Sequence, residues 1–148
     1  MSLTVLLPSR FEAVPGFLAK AVEFLQNRTP ADTEEIFHLR LALEEALTNA
    51  IKHGNQLNPT LRVSVAVLFK GGNVLMTVED KGKGFDDTRV PDPTAGMRVL
   101  KTSGRGVFLI KNVMDEVRFS RGGRKIRMVK KLKHRVGPAG KKGGRNKR

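Results

Sequence analysis

In the stretch ALEEALTNAIKHGN, residues 42–55, an acid, an amide and an imidazole recur at every fourth position: Glu45, Asn49 and His53. On a helix that spacing puts all three on one stripe, with Ala46, Ala50 and Ile51 beside them as a packing face. A carboxylate held this way can orient or deprotonate an attacking hydroxyl or water. An amide oxygen one turn further along can ligate Mg2+, which takes oxygen ligands. Glu44 points about 100° away around the helix and reads as a surface acid. The same stripe also reads as the solvated outer face of an amphipathic helix; taken alone it does not choose between the two.

Two glycine-bearing segments follow. In VEDKGKGF, residues 78–85, Asp80 ends an apolar run, and Gly82 and Gly84 stand at alternate positions after it. A carboxylate there can accept a hydrogen bond from an exocyclic amine such as that of adenine, and glycines let backbone come close to a ligand. The segment is not a dinucleotide fingerprint, because a third glycine and a following helix are missing at the required distance. Nor is it a calcium loop, since glycines stand where acids are needed. In TSGRGVFLI, residues 102–110, Gly104 and Gly106 open a helix with Arg105 between them. Free N–H groups and the positive helix end suit phosphate. No GxxxxGK[ST] occurs, which excludes an ordinary P-loop. Singly, each segment reads more simply as a glycine turn.

Order and spacing carry more than any one segment. Glu45 and Asn49, then Asp80-x-Gly82-x-Gly84, then Gly104-x-Gly106 resemble the N, G1 and G2 boxes of the gyrase- and histidine-kinase-type (GHKL, Bergerat-fold) ATPase superfamily. Within it, ALEEALTNAIKHGN most resembles the small anti-sigma-factor serine kinases. The resemblance spans about residues 5–132. It implies an α+β fold: a two-layer α/β sandwich, with a mostly antiparallel five-stranded sheet and three helices on one face. It implies that Glu45 is the general base and that Asn49 ligates the Mg2+ bridging the ATP phosphates. Asp80 would take the adenine amine, with Gly82, Gly84 and Phe85 shaping the pocket. Gly104, Arg105 and Gly106 would contact phosphate with Val107 beside them, and residues 86–103 would form an ATP lid. Thr48, Lys52 and His53 match positions near the nucleotide. Phe85 departs from the pattern, where a smaller aliphatic residue is common. The same resemblance implies a serine/threonine protein kinase that phosphorylates a STAS-type anti-anti-sigma antagonist, sequesters a sigma factor and works as a homodimer.

The elements that must position these residues are legible. Leu3 to Leu7, stopped by Pro8, reads as an edge strand. Phe11 to Asn27 reads as a helix with Pro15 near its start, where a missing N–H costs little. Asp32, with Glu35 three residues later, makes a capping-box start. Ile36, Leu39, Leu43, Ala46, Leu47, Ala50 and Ile51 then continue an apolar helical face towards a stop at Gly54. Residues 61–69 and 74–78 alternate as two strands across KGGN, a hairpin. Residues 81–104 are loop-like, and loops of that length are usually functional or disordered. A short helix, residues 106–114, precedes a second hairpin, 117–120 and 125–132, across RGGR. That order suggests a mostly antiparallel sheet with helices on one face.

Composition narrows the alternatives. The chain has 148 residues, 39% of them hydrophobic, which suits one domain with a real core. It has no cysteine, so disulfides, thiolate zinc sites and thiol catalysis are excluded. His38, His53 and His134 show no HExxH spacing. The opening MSLTVLLPSR carries no basic region ahead of its apolar run, and no run approaches a membrane span, which predicts a cytoplasmic protein. The net charge is +14. Residues 133–148 hold seven Lys or Arg and no acid. We expect them to form a disordered basic tail outside the 1–132 domain, a solubilising extension or a site for nucleic acid or an acidic partner. Trp and Tyr are absent and the eight Phe mostly sit in apolar patterns, which removes the stacking platform of a single-strand binder. Two competing readings remain beside the kinase: a nucleotide-gated partner-binding module of the same fold without transfer activity, and a nucleic-acid binder acting through the tail. A histidine-kinase fragment fits less well, since no helical hairpin bearing a phosphorylatable histidine precedes the domain.

Overall fold

The computed structural model describes residues 1–82 and 105–134. In chain order these form β1 (Ser2–Pro8), a 3-10 turn (Phe11–Ala13), α1 (Val14–Arg28), α2 (Thr33–Asn49), a π-helical turn (Ala50–Gly54), β2 (Arg62–Lys70) and β3 (Asn73–Glu79). A third helix, α3, covers residues 105–113, and β4 (Glu116–Ser120) and β5 (Lys125–Lys131) close the fold.

The strands form one sheet in the order β1-β2-β3-β5-β4. Every neighbouring pair is antiparallel, so the sheet is antiparallel throughout rather than mostly so. Two pairs, β2–β3 and β4–β5, join through tight turns, whereas β1 and β2 pair across the α1–α2 segment. Gly71 and Gly72 have φ of +60° and +82°, and Lys70 pairs with Asn73 across them, the left-handed geometry that a two-residue hairpin demands. The link from β3 to β4 is different. It passes through α3 and skips one strand position, leaving β5 to return between β3 and β4.

Period-two patterning sets the core. In β2 the buried residues are Val63, Val65 and Val67; in β3 they are Val74, Met76 and Val78. Register aligns these with Leu7 and Val5 on β1 and with Ile126 and Met128 on β5. The same core takes in Phe17, Leu18, Ala21 and Leu25 from α1, Leu39, Leu43, Leu47 and Ile51 from the α2 region, and Ile110 and Met114 from the α3 region. All three helices therefore cover one face of the sheet. Leu39, Leu43, Leu47 and Ile51 are each 0% exposed, and truncating any one to Ala would cost about 2–5 kcal/mol.

The expected elements form, with local corrections. The first helix opens as a 3-10 turn before Val14, and Pro15 occupies its first turn. The second helix keeps α-helical bonding only to Asn49 and then widens. Half of the phenylalanines are not core: Phe11, Phe37, Phe108 and Phe119 are exposed. Gly84, Phe85, Gly104, residues 86–103 and residues 135–148 lie outside the described residues.

The start of α2 is tied down completely. The Asp32 side chain accepts from the Glu35 amide at 2.8 Å, and Glu35 Oε1 accepts from the Asp32 amide at 2.9 Å. The capping box is formed as its spacing requires. The other oxygen of Glu35 accepts from the Lys133 amide at 2.8 Å, which locks the end of β5 to the start of α2.

Candidate active site

The acid at one end of the site is set by the strand that precedes it. β3 ends at Glu79, and the next residue, Asp80, is 7% exposed. Its N–H donates to the Arg124 carbonyl at 2.9 Å, so the β4–β5 turn holds its backbone. Oδ1 accepts from the Gly82 amide at 2.8 Å, a side-chain turn that Asp favours. Oδ2 makes no hydrogen bond among the described residues, which leaves it as an acceptor for an amine. Burial pushes the Asp80 carboxyl above the usual aspartate value, with Glu79 adding to the rise; the Gly82 amide and the Arg124 charge oppose it.

The end of α2 comes down onto this acid. A Cβ on Gly54 would overlap the Asp80 carboxylate, and a Cβ on Gly82 would overlap the Gly54 carbonyl. Both positions require glycine because the helix end and the strand end are in direct contact. The π-helical turn makes that contact possible. It carries more residues per turn than an α-helix, and such turns cluster at functional sites. The Asn55 amide donates to Ala50 O at 2.7 Å and Leu57 N to Ile51 O at 2.8 Å. Gln56 and Leu57 then take φ of +53° and +58°, which costs an L-residue about 1–2 kcal/mol each.

Asn55, only 2% exposed, fixes the arrangement. Its Oδ1 accepts from the Lys81 amide at 2.7 Å, and its Nδ2 donates to Ser9 Oγ at 2.8 Å and to Arg62 O at 3.2 Å. Ser9, 1% exposed, donates in turn to Leu61 O at 2.7 Å. One amide thus joins the ends of β1 and β3 to the start of β2. Sequence reasoning treated Gly54 as a helix stop and passed over Asn55. The signal available was a second Asn two residues after His53, polar yet placed where the core pattern ends.

At the other end of the site, Glu45 and Asn49 are half-buried on α2 and have no hydrogen-bond or ion-pair partner among the described residues. A Cβ on Gly106 would come within 2.7 Å of Glu45 Oε1 and 3.2 Å of Asn49 Nδ2. The backbone that begins α3 therefore rests on the acid–amide pair. Arg105 is exposed beside it, and Val107 is buried. Lys52 and His53 are exposed on the π-helical turn, without a described partner. Glu44 faces outward and pairs with Arg40 at 3.4 Å.

The fold thus gathers Glu45, Asn49 and Gly106 at one place, and Asp80, Gly82 and Gly54 at another. Five residues of one continuous helical segment separate Asn49 from Gly54, roughly 6–8 Å. No group of three or more His, Cys, Asp or Glu among the described residues could hold a metal ion by itself. One amide oxygen beside one carboxylate does fit Mg2+, which keeps several waters and completes its shell with substrate phosphates.

Comparison with known proteins points the same way. Residues 7–130 match the histidine kinase-like ATPase domain. The chain is 39% identical over 88 residues to an anti-sigma F factor of Geobacillus stearothermophilus, covering 57% of this chain and 60% of that protein. It is 36% identical over 87 residues to the anti-sigma F factor of Anoxybacillus flavithermus, covering 57% and 59%. It is 26% identical over 120 residues to the serine-protein kinase RsbW of Oceanobacillus iheyensis, covering 77% and 75%. The matched region thus spans about three fifths of the anti-sigma F factors' length. With this match over nearly the whole fold and with the acid–amide pair and glycine turns brought together as described, the chain belongs to the family of histidine kinase-like ATPase domains.

Proposed function

We propose that the chain is a Mg-ATP-dependent serine/threonine protein kinase that acts as an anti-sigma factor and phosphorylates an anti-anti-sigma antagonist protein. The observation that carries this reading is the seating of Gly106 against Glu45 and Asn49. It brings the backbone that opens α3 beside an amide and a carboxylate, which supports phosphate binding, metal ligation and base catalysis by these groups. Asp80 Oδ2 accepts the purine amine, and Gly54 and Gly82 keep side chains away from that acid. Amides at the start of α3 donate to phosphate oxygens, aided by the helix end. Glu45 takes the proton of the attacking hydroxyl. Asn49 would ligate Mg2+, which when bound neutralises charge developing on the transferred phosphoryl group. The sigma-factor and antagonist partners rest on the similarity to the anti-sigma factors. The homodimer and the cytoplasmic location belong to the same proposal; no helix among the described residues is long and apolar enough to cross a membrane.

The test has two arms. Calorimetric titration with Mg-ATP should give a Kd that rises about 10–100-fold in Asp80→Asn, the loss of one hydrogen bond to a charged acceptor. Incubation with radiolabelled ATP and a STAS-type antagonist should yield phosphoserine or phosphothreonine on the antagonist. Nucleotide binding without phosphoprotein would replace the kinase by a nucleotide-gated partner-binding module. A folded protein that binds no nucleotide would end both readings.

A further inference from the structure

The positive charge of this chain is concentrated at one edge of the fold. Residues 1–82 carry eight Lys or Arg against nine Asp or Glu, whereas residues 105–134 carry ten against Asp115 and Glu116 alone. The hairpin β4–β5 holds most of them. Ile126 and Met128 are buried, so strand alternation turns Lys125, Arg127 and Lys131 to the side of the sheet away from the helices. Register sets Arg118 of β4 directly opposite Arg127, and both are exposed. Like charges facing each other across paired strands destabilise them. No carboxylate among the described residues relieves this pair: Glu79 is engaged by Arg121 at 3.4 Å and Glu116 by Lys131 at 4.0 Å. Arg118, Lys125 and Arg127 have no ion pair or side-chain hydrogen bond among the described residues.

We propose that this outer face of the β4–β5 hairpin binds the phosphate backbone of duplex nucleic acid, without reading sequence. The site stands independently of the kinase reading. Two of its cations, Arg118 and Arg127, are arginines without another described partner, and their planar forks match phosphate oxygens in pairs. From Lys125 to Lys131 the basic track on this face runs roughly 20 Å at strand rise. The chain continues past it with six more Lys or Arg and no acid, residues 135–148. A long track of one sign suits a polyanion with regularly repeated charge. On the row of Arg118 and Arg127 the sheet continues with Thr77, Ala66 and Thr4, short side chains that leave a flat approach for a rod. Register places Phe69 opposite Val74 and Phe119 opposite Ile126, on the helix side of the sheet, so among the described residues this outer face offers no aromatic platform for unstacked bases and favours a duplex over a single strand.

Fluorescence anisotropy of a labelled random-sequence duplex of 24 base pairs, titrated with the full chain between 50 and 200 mM KCl, tests the proposal. Affinity should fall linearly with salt on a log–log plot. Arg118→Gln/Arg127→Gln should weaken binding about tenfold at 100 mM and reduce the slope by about 2. Arg118→Lys/Arg127→Lys should keep the slope. Thermal unfolding of the Gln pair should match or exceed wild type, since a repulsive pair is removed. Duplex binding untouched by the Gln pair, or absent in wild type at 50 mM, would overturn the site. Binding of poly-glutamate or of a single strand as tightly as the duplex would overturn the assigned occupant.

Discussion

The two ends of α2 carry nearly the same chemistry and treat it in opposite ways. At the N-terminal end, Asp32 and Glu35 cap each other, Glu35 also accepts from the Lys133 amide, and the Lys133 ammonium lies 3.5 Å from Asp32 and 3.2 Å from Glu34. At the C-terminal end, Glu45, Asn49, Lys52 and His53 have no described partner, and Asp80 keeps one carboxylate oxygen without a hydrogen bond among the described residues. The backbone follows the same division. A regular capped start faces a widened turn followed by two left-handed non-glycine residues. Satisfied polar groups stabilise a fold, whereas groups without described partners stay available to a ligand, and backbone strain persists only because the surroundings enforce it.

Exchanging the two glutamates gives the largest effects. Glu45→Ala should lower phosphoryl transfer by about 10²–10⁴-fold while leaving the urea midpoint within the range of an ordinary surface change. Glu35→Ala should do the reverse. It removes the capping box and a buried charged acceptor, costing about 2–3 kcal/mol in urea unfolding, with ATP affinity retained by the folded fraction. If both variants lose stability alike, the contrast between the ends fails. Gly82→Ala comes next. Its new methyl meets backbone, which cannot swing aside, so about 3 kcal/mol of stability should be lost together with nucleotide binding.

Acid titration sharpens the same contrast through opposite signs. Burial raises Asp80, so the stability linked to its protonated form is present below the ordinary value of 3.8 and is lost as pH rises through the raised one. Burial also pushes Asp32 upward, but the Glu35 amide and the charges of Lys133 and His134 outweigh it and leave Asp32 lowered. Its contribution is present above 3.8 and is lost as pH falls through the lowered value. Urea midpoints from pH 3 to 7 should therefore show Asp80→Asn gaining on wild type as pH rises. Asp32→Asn should fall behind over the same range. The smallest effect is at Leu57, which is exposed and left-handed. Leu57→Gly should raise stability by about 1 kcal/mol; a loss would mean that its side chain packs usefully after all.

What was legible in the sequence follows the range of the interactions. The α2 start, its apolar face, the stripe of Glu45 and Asn49 and both hairpins depend on residues a few positions apart, and local pattern sufficed. The π-helical turn was not legible, because five residues cannot distinguish its period from that of an α-helix. Asn55 acts on residues 9, 62 and 81, and Glu35 on residue 133; no spacing rule connects such pairs. The facing of Arg118 and Arg127 was within reach of sequence, since a hairpin centred on RGGR fixes that register, yet it gains meaning only once the neighbouring carboxylates are seen to be engaged elsewhere.

The link between Glu35 and Lys133 has a consequence for how the molecule is made. A ribosome delivers α2 nearly a hundred residues before the amide that completes its buried carboxylate. The slot between β3 and β4 also stays open until β5, residues 125–131, emerges. The nascent chain therefore holds an unfinished sheet edge and a half-paired acid until residues 125–133 are made, at about 5–20 residues per second. Stopping the chain before residue 133 would leave the helix that bears Glu45 and Asn49 without its final clasp.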